Sequence, residues 1–299
     1  MDGYKKIIRS QKARFTILRM LKFVPDEAML KLQYRIKLGR KLNLKNPARY
    51  SEKIQWYKLN YRDPLMTQCA DKYRVREYVE SKGFGHILNE LYQVAESSDG
   101  IDFDALPEKF VLKTTNGSET NIFCKDKSKL DILATKKKLN EFLLMADASA
   151  GREWAYDASS KLIIAEKFME DESNPDGGIP DYKFFCFNGH VAMMWVDYDR
   201  FNGHKRVLYN PDGTRLNVRC TFSSPPEFEY PKEAFETLMP IAENLAEPFP
   251  HARIDLYYVN RKPFFGEITF YSGSGYEPFD SDAYDFELGR SFALPAKKV

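Results

Sequence analysis

The sequence predicts an α+β protein in which a helical first third precedes an antiparallel, hairpin-rich sheet. Two observations support this fold class. Apolar residues recur at helical spacing from residue 26 to about residue 82. From residue 109 onward, short apolar and β-branched runs alternate with turn sequences, and two helical stretches interrupt them. Helices followed by runs of strands are typical of α+β architecture.

Three helices are predicted in the first third. Residues 26–42 carry apolar side chains at helical spacing. Ser51 is expected to cap a second helix, because serine oxygens accept hydrogen bonds from the first free N–H groups of a helix. Pro64 suits the first turn of a third helix that runs to about Lys82, where Gly83 ends it.

Eight strands are predicted in the rest of the chain, at residues 109–115, 121–125, 162–169, 182–187, 191–198, 206–210, 253–260 and 263–270. The sequences NGSE, FNG and NRKP separate consecutive strands and indicate hairpin turns. Helical periodicity returns at residues 129–147 and 232–246.

Composition limits the protein class. Of 299 residues, 43% are hydrophobic and 29% are charged, which is typical of a folded globular protein. Cys69, Cys124, Cys186 and Cys220 lie far apart without CxxC spacing, so we expect reduced thiols in a cytoplasmic protein and no zinc site. No run approaches the roughly 18 apolar residues of a transmembrane helix, and we expect no signal peptide.

Charge is distributed unevenly. Residues 1–50 hold fourteen Lys and Arg against three acidic residues, although the whole chain has a net charge of only +2. Basic residues interleave with apolar ones over residues 4–24, which is the pattern of an amphipathic helix. Two interpretations stay open: a solvated face on a docked helix, or a surface that contacts an anionic membrane. No helix-turn-helix, RNP or zinc-finger pattern supports a nucleic-acid partner.

The last predicted hairpin carries the strongest candidate chemistry. Asp255 and Glu267 interrupt apolar stretches on consecutive strands, and a short hairpin can set them side by side. A buried carboxylate needs a cationic partner, and magnesium bound between carboxylates and phosphate oxygens is one solution. Arg253 points to the same face as Asp255 and can hold a phosphate or a carboxylate. A structural Arg–carboxylate cluster is the alternative interpretation.

Three further segments carry candidate residues. Lys113 lies in an apolar strand before the loop NGS, whose N–H groups suit phosphate, although an edge lysine is the simpler interpretation. The segment Glu166–Met169 ends another strand, where an adenine can meet backbone groups and stack on Phe168 or Met169. Asp181 and Lys183 share one face of the next strand and can also form a purely structural pair.

In combination and in this order, these segments resemble the TupA-like branch of the ATP-grasp superfamily. The resembling blocks cover roughly residues 50–290 and include YSEKIQWYKLNYRDPL, ADKYRVREYV, LPEKFVLKTTNGS, GREWAY, IIAEKFMED, PDYKFFCFNG, DRFNGHKR and RIDLYYVNRKPFFGEITFYSGSGYEPF. The resemblance implies an ATP-grasp fold, in which two α+β subdomains at 109–169 and 170–299 clasp ATP. A basic helical segment at 1–48 and a helical region at 49–108 would precede them.

The resemblance also implies site residues and cofactors, namely ATP and Mg2+. Residues implied in nucleotide binding are Lys113, Asn116, Gly117, Ser118, Glu166, Lys167, Phe168, Met169 and Asp181. Residues implied in magnesium binding are Asp255, Glu267 and Thr269, and residues implied in catalysis are Arg253, Lys183 and Arg200. Three departures bear on lid closure and metal number: a single glycine in NGSETN, Thr269 where many relatives have Asn, and Ser272 where relatives often have Pro.

The activity implied by the resemblance is ATP-dependent ligation of a small-molecule carboxylate to an amine or glycan acceptor, through an acyl phosphate. The implied setting is surface-polysaccharide or teichuronopeptide synthesis at the cytoplasmic side of the membrane. Arg200, His204, Lys205 and Arg206 form a second basic group that we expect to meet a uronate, a glycan phosphate or the ATP phosphates. A glycosyltransferase and a non-catalytic nucleotide-binding module remain alternatives, although DYD at 197–199 lacks a βαβ context.

Overall fold

A computed structural model of the chain describes residues 18, 20–115, 117, 120–145, 151–157, 161–171, 178–200 and 203–298. Its helices are α1 (Asp26–Leu38), α2 (Tyr50–Asn60), α3 (Pro64–Ala70), α4 (Val75–Ser81), α5 (Ile132–Met145), α6 (Trp154–Asp157), α7 (Lys232–Ala246) and α8 (Asp282–Ser291). Its strands are β1 (Leu91–Ala95), β2 (Phe110–Thr114), β3 (Asn121–Cys124), β4 (Ile163–Lys167), β5 (Asp181–Phe187), β6 (His190–Tyr198), β7 (Lys205–Tyr209), β8 (His251–Val259) and β9 (Lys262–Thr269).

The strands form two antiparallel sheets, which confirms the predicted α+β class. The smaller sheet has the order β1-β4-β2-β3, and the larger has the order β7-β6-β5-β8-β9. All eight predicted strands are present, and β1 was missed. The predicted hairpin turn FNG is confirmed, because Asn188 and Gly189 have φ values of 50° and 83°, which suit a two-residue turn between twisted strands.

The larger sheet has two chemically different faces. Helix α7 covers one face, where Phe235 packs edge-on against Tyr182 and Phe184 with ring centroids 5.6 Å apart in each case. Side chains alternate between faces along a strand, so Asp181 and Lys183 point to the opposite face. Their strand is buried along its whole length. Packing of the apolar side chains on one face of β5 therefore holds Asp181 and Lys183 in buried positions on the other face.

The start of α2 differs from the prediction. The helix begins at Tyr50, so Ser51 lies inside it and the prediction that Ser51 caps the helix is wrong. Glu52 caps the start of the helix instead. Its carboxylate accepts hydrogen bonds from the N–H groups of Ala48 and Arg49 at 3.0 and 3.1 Å. Ser51 donates through its hydroxyl to the buried carboxylate of Asp285 at 2.6 Å, which joins α2 to α8.

The third predicted helix is two helices, because Asp71 interrupts it. Pro64 does occupy the first turn of α3, and Gly83 follows α4 with a φ of 83°. Between them, the buried carboxylate of Asp71 accepts the N–H groups of Tyr73 and Arg74 at 2.9 Å each. These bonds stabilise a turn in place of continued helix.

All four cysteines are free, as expected, and all four are also buried. Among the described residues, no helix is both long enough and apolar enough to span a bilayer. The predicted amphipathic segment at 4–24 lies mostly outside the described residues.

A buried histidine lies where α2 meets the larger sheet. The Nε2 atom of His251 is 2.9 Å from the hydroxyl oxygen of Tyr50, and its ring stacks on Phe187 with centroids 5.4 Å apart. Burial is the main cause that lowers the pKa of His251 from 6.5 to about 3. The folded protein therefore keeps this histidine neutral at pH values where the unfolded chain protonates it.

We expect this histidine to make the protein sensitive to mild acid. Below pH 6.5 the unfolded chain binds a proton that the folded chain does not, so stability falls with pH until about pH 3. The expected loss is about 1.4 kcal/mol per pH unit. Urea denaturation at pH 7.0 and 5.5 should show this loss in wild type and a smaller one in His251→Gln. Exposed His86→Gln is the control and should keep the wild-type dependence; equal pH dependence in all three proteins would contradict the assignment.

Candidate functional site

A cluster of charged side chains lies on the face of the larger sheet that α7 leaves uncovered. At its centre, the ammonium of Lys183 lies between two carboxylates and donates to Asp181 at 2.6 Å and to Asp255 at 2.5 Å. All three side chains are at most 7% exposed. Such deep burial of charge is tolerated only when each group has a partner of opposite sign.

Arg253 forms the second half of the cluster. Its guanidinium donates two hydrogen bonds to the carboxylate of Asp255, both at 2.7 Å, in the bidentate geometry that arginine favours. The same guanidinium reaches Glu267 at 3.3 Å and the hydroxyl of Thr269 at 3.1 Å. The hydroxyl of Thr269 also donates to Glu267 at 3.2 Å.

Strand register brings these residues together. Asp255 is the direct cross-strand partner of Glu267 on β9 and of Lys183 on β5. Arg253 is the partner of Thr269. Directly opposed residues project to the same face of a sheet, so the predicted side-by-side placement of the two hairpin carboxylates is confirmed.

The cluster's oxygen atoms suit magnesium, but its cations compete for them. Carboxylate and hydroxyl oxygens are hard ligands of the kind that magnesium prefers. In this arrangement Arg253 and Lys183 occupy the oxygens of Asp255, and no three acidic, His or Cys side chains of the described residues converge as a ready-made metal site. Phosphates that attract the two cations would free these oxygens for a metal.

Two carboxylates of the cluster have oxygen atoms that are available to a further hydrogen-bond donor or a cation. The Oδ1 atom of Asp181 is buried and has no hydrogen-bond partner among the described residues, which is unusual for a carboxylate oxygen. Glu267 is the most accessible carboxylate of the cluster, with 40% of its side chain exposed. Partial burial would raise the pKa of Glu267, but the charges of Lys72, Arg253 and Lys183 hold it at about 2. It is therefore ionised at neutral pH and open to a cation.

Lys72 joins the two sheets and was missed in the sequence. Its ammonium donates to the carbonyl of Gly117, beyond the end of β2, at 2.8 Å and lies 3.7 Å from the carboxylate of Glu267. Its N–H also donates to the carbonyl of Thr115 at 2.9 Å. Lys72 directly follows the turn-forming Asp71, so a reading of residues 64–82 as one helix concealed it. A cation between the sheets is well placed to bind phosphate.

On the smaller sheet, the predicted phosphate ligand Lys113 is held by a carboxylate. Its ammonium donates to Glu166 at 2.7 Å, and Arg76 lies 3.6 Å from the same carboxylate. Both Lys113 and Glu166 lie on the face opposite the small apolar core that contains Phe110 and Leu112. The structure therefore brings these two predicted residues together; Asn116 and Ser118 of the adjoining loop lie outside the described residues.

The other predicted hinge residues are not grouped with this pair. Lys167 alternates with Glu166 to the other face of β4, where it is exposed and lies 3.5 Å from Glu90. Phe168 is half-buried and packs edge-on against Phe123, with ring centroids 6.2 Å apart. Met169 follows the strand and is also half-buried. The aromatic ring of Phe168 remains a candidate wall for a base.

The predicted second basic group is largely neutralised by neighbouring acids. Arg206 forms a buried bidentate pair with Asp197 at 2.6 and 3.0 Å, and Lys205 pairs with Asp199 at 3.0 Å. Only Arg200 reaches the cluster, where it donates to Asp181 at 2.7 Å. The two acids of DYD are thus committed to Arg206 and Lys205, which argues against their use as a glycosyltransferase metal motif.

A polar relay connects Arg253 to the turn after β9. Its guanidinium donates to the hydroxyl of Ser272 at 2.9 Å, and that hydroxyl donates to Glu277 at 2.9 Å. The thiol of Cys220 donates to the other oxygen of Glu277 at 3.3 Å. Ser272 is fully buried, so this relay fixes the orientation of the guanidinium from the side opposite Asp255. The sequence showed Ser272 only as a departure from the motif.

The family profile described as TupA-like ATPgrasp matches residues 52–293, which is most of the chain. Comparison with curated proteins finds no match.

Solved structures with a similar arrangement share little sequence with this chain. D-alanine–D-alanine ligase from Bacillus anthracis in complex with ATP is 15% identical, with a TM-score of 0.40, over 68% of this chain and 54% of that chain. The ligase of the same name from Helicobacter pylori is 13% identical, with a TM-score of 0.40, over 82% and 70%. A RimK domain protein ATP-grasp from Sphaerobacter thermophilus is 10% identical, with a TM-score of 0.38, over 83% and 72%. The chain thus spans about half the length of the Bacillus anthracis ligase.

Proposed function

The chain belongs to the TupA-like ATP-grasp family, and on that premise we propose that it binds ATP with Mg2+ and ligates a carboxylate to an amine or related nucleophile. The observation that carries this proposal is the cross-strand cluster in which Arg253, Asp255 and Glu267 meet on one face of the larger sheet. It combines metal-binding oxygens with cations that suit phosphate. Family membership supports the same conclusion.

The residues of the chain supply the charges that such a reaction needs. Lys72 and Lys113 would hold the phosphates, and Asp255, Glu267 and Thr269 would hold magnesium, which neutralises phosphate charge when bound. Arg253 and Lys183 would stabilise the negative charge that develops during phosphoryl transfer to the carboxylate. Attack of the nucleophile on the resulting acyl phosphate then forms the new bond and releases phosphate. Catalysis would rest on positioning and charge compensation.

Substrate-stimulated ADP release tests the proposal. The purified chain with ATP and magnesium should release ADP when amino acids or uronic acids are supplied as carboxylates, and more so when an amine is added. A glycosyltransferase would instead consume a sugar nucleotide, and a binding module would bind ATP without turnover. Absence of ADP release with any carboxylate, in a protein that binds ATP, would leave only the binding module.

Lys113→Met is expected to weaken ATP binding by about tenfold or more. A charge-assisted hydrogen bond contributes roughly 1.5–3 kcal/mol, and 1.4 kcal/mol corresponds to a factor of ten in affinity. Calorimetric titration with ATP measures this change. Lys109→Met is the matched control, because Lys109 directly precedes the same strand and pairs with Glu170 at 2.7 Å, with both side chains exposed. Wild-type affinity in Lys113→Met would exclude its contact with phosphate.

Ser272→Ala is expected to lower kcat by about tenfold or more with little change in ATP affinity. The substitution removes the bond that orients the Arg253 guanidinium, so the loss should fall on the transition state. Ser272→Thr keeps the hydroxyl and should recover most of the rate. Steady-state kinetics and calorimetry separate the two effects; a parallel loss of ATP affinity, or no rescue by threonine, would indicate a structural role only.

The proposed setting is assembly of an anionic surface polysaccharide at the inner face of the membrane. The net charge of +11 over residues 1–50 supports it, as do Met20 and Phe23, which are 71% and 82% exposed. Residues 1–17 contain five Lys and Arg, each contributing about 1 kcal/mol near an anionic leaflet. Sedimentation with phosphatidylserine vesicles at low salt should carry the full chain down and leave a chain lacking residues 1–24 in solution. No sedimentation of the full chain would refute membrane contact.

A further inference from the structure

A buried lysine on α2 contacts the turn after β9, at residues 272–275. The side chain of Lys58 is fully buried. Its ammonium donates to the carbonyl of Gly151 at 2.9 Å, to the carbonyl of Ser274 at 2.9 Å and to the hydroxyl of Ser274 at 3.0 Å. The carboxylate of Glu153 lies 3.5 Å away and accepts a hydrogen bond from the same hydroxyl. A charge buried this deeply is tolerated only with such partners.

The two segments that Lys58 joins come from different parts of the fold. The turn after β9 directly follows the strand that carries two of the candidate metal ligands. Residues 151–153 lie between α5, which packs on β2, and β4, which pairs with β2. Strand β2 carries the proposed phosphate ligand Lys113. Lys58 therefore links the part of the chain that holds this ligand to the part that holds the charged cluster.

The turn after β9 has a backbone conformation that needs support. Gly273, Ser274 and Gly275 all have positive φ values, of 51°, 59° and 70°. Such a value is unfavourable for serine and persists only where neighbouring groups hold the chain in place. The amide of Gln55 on α2 donates to the carbonyls of Ser274 and Gly275 at 3.0 and 3.1 Å. Gln55 and Lys58 together therefore hold the turn in this conformation.

The same turn orients a residue of the charged cluster. Its first residue, Ser272, accepts a hydrogen bond from the guanidinium of Arg253 at 2.9 Å. A change in the turn would move this hydroxyl and remove the bond that aligns the guanidinium beside Asp255. Displacement of a reacting or stabilising group by about 1 Å can slow a reaction about a hundredfold. The contacts of Lys58 thus bear on the geometry of the proposed phosphoryl-transfer site.

Only the protonated form of Lys58 can make all three hydrogen bonds. An ammonium has three N–H donors, which match the two carbonyls and the hydroxyl that accept from it. A neutral amine has two N–H donors, and a carbonyl cannot donate in return. Loss of the proton would therefore break a bond to Gly151 or to Ser274.

The surroundings of Lys58 make its proton easier to lose than usual. Burial is the main cause that lowers the pKa of Lys58 from 10.5 to about 8. The carboxylate of Glu153 opposes this change in pKa, and the charge of Lys37 on α1 adds to it. The rings of Tyr271 and Tyr276 also face the ammonium, with centroids 5.7 and 5.3 Å from it. Burial raises the pKa of both phenols further above 10, so they stay neutral when Lys58 loses its proton.

We propose that Lys58 is a positioning residue of the ligase, whose protonated ammonium holds residues 151–153 against the turn after β9 and thereby keeps Arg253 aligned. This inference rests on the proposed function and adds a pH-dependent control of the same site. When the proton is lost, one of the two segments is released and the Arg253 guanidinium loses its alignment.

Stability and turnover should respond to this proton in opposite directions. Between pH 8 and pH 10.5 the unfolded chain keeps a proton on Lys58 that the folded chain has lost. The contribution of Lys58 to the free energy of unfolding therefore rises with pH over this range. A fall in turnover caused by this lysine is thus not a result of unfolding.

The pH dependence of ADP release tests the proposal in the full chain at saturating substrates. Lys58→Met should lower kcat at pH 7 by about tenfold, with little change in ATP affinity. Wild-type kcat should fall about tenfold further than that of Lys58→Met between pH 7 and pH 9, because only wild type has this proton to lose. The ratio of the two rates should therefore fall from about ten to about one, since titration of the substrates affects both proteins equally.

Lys53→Met is the matched control. Lys53 lies on the same helix, burial also lowers its pKa, and its ammonium donates to the carbonyls of Gly289 and Phe292 at 2.7 and 2.6 Å. This variant should keep the wild-type kcat and its dependence on pH. A ratio of wild-type to Lys58→Met rates that stays constant from pH 7 to pH 9 would overturn the proposal.

Hydrogen exchange gives a second measurement that does not depend on turnover. At pH 7, peptides covering residues 151–157 and 271–277 should exchange faster in Lys58→Met than in wild type or Lys53→Met. Wild type alone provides the same test without a substitution, because both peptides should lose protection between pH 7 and pH 9 after correction for the intrinsic exchange rate. Unchanged protection of both peptides would also overturn the proposal.

The two measurements separate this proposal from the proposed function. If carboxylates stimulate ADP release and Lys58→Met behaves as wild type, the ligase function stands and the role of Lys58 is wrong. If wild type releases no ADP with any carboxylate but both peptides exchange faster in Lys58→Met, the ligase proposal is wrong and Lys58 only joins the two segments.

Discussion

Glu267→Gln is expected to lower ATP turnover by about a hundredfold to a thousandfold while leaving the fold intact. Loss of a single preorganised electrostatic group at a transition state has an effect of this size. Glu267 is the carboxylate of the cluster best placed to accept a metal, because it is ionised and 40% exposed, whereas Asp255 is enclosed by Arg253 and Lys183. The amide keeps the shape and the contact with Thr269 but removes the charge.

ADP release at saturating ATP and magnesium measures this effect, and thermal unfolding reports the fold. The matched control is Glu233→Gln, which removes an exposed carboxylate from a pair with Arg261 at 2.7 Å at the far end of the larger sheet. Its turnover should equal that of wild type. Wild-type ADP release by Glu267→Gln would exclude Glu267 as a magnesium ligand.

The strands and their hairpins could be predicted because their signals are local. Alternation with period two and the turn FNG located the strands, and the spacing of Asp255 and Glu267 indicated that these carboxylates can face each other. The exact register was not predictable, because a bulge between Asp255 and Leu256 sets Glu267, and not Gly266, opposite Asp255. The prediction that Asp181 and Lys183 share one face of their strand is also confirmed, because the Lys183 ammonium donates to Asp181.

The helix ends in the first third were less predictable. Asp71 and Glu52 set them by accepting hydrogen bonds from backbone N–H groups, and the spacing of apolar residues does not reveal such bonds.

Long-range partners explain what the sequence could not show. Lys72 contacts Gly117 and Glu267, which are 45 and 195 residues away along the chain, so only the meeting of the two sheets gives it a role. The basic group DRFNGHKR looked free because its charges are visible in sequence and its acidic partners are not. Arg206 in fact lies over Trp195, with its guanidinium 4.0 Å from the ring centroid, and is paired with Asp197.

The charge balance within the cluster also makes its residues important for stability. A buried ion pair contributes little when intact, because desolvation offsets attraction, but removal of one partner leaves a charge without compensation. Asp181 and Asp255 share the single ammonium of Lys183. Their other cations, Arg200 and Arg253, each contact only one of the two carboxylates through a hydrogen bond. Lys183 is therefore the cation on which the balance of the cluster depends.

Lys183→Met is accordingly expected to lower the free energy of unfolding by about 3–5 kcal/mol, as loss of one partner from a buried charge pair does elsewhere. Urea denaturation at pH 7 measures this loss. Magnesium at millimolar concentration should stabilise the variant more than wild type, because the oxygens that Lys183 leaves become available to the metal and binding to the folded state raises stability.

Lys205→Met provides the control for this prediction. Lys205 belongs to the same sheet and pairs with Asp199 at 3.0 Å, but its side chain is 31% exposed, so its loss should be below about 1 kcal/mol. If Lys183→Met is no less stable than Lys205→Met, the cluster is not a charge-balanced unit that depends on this lysine. If the variant is destabilised but magnesium has no greater effect on it than on wild type, the carboxylates freed by the substitution do not bind the metal.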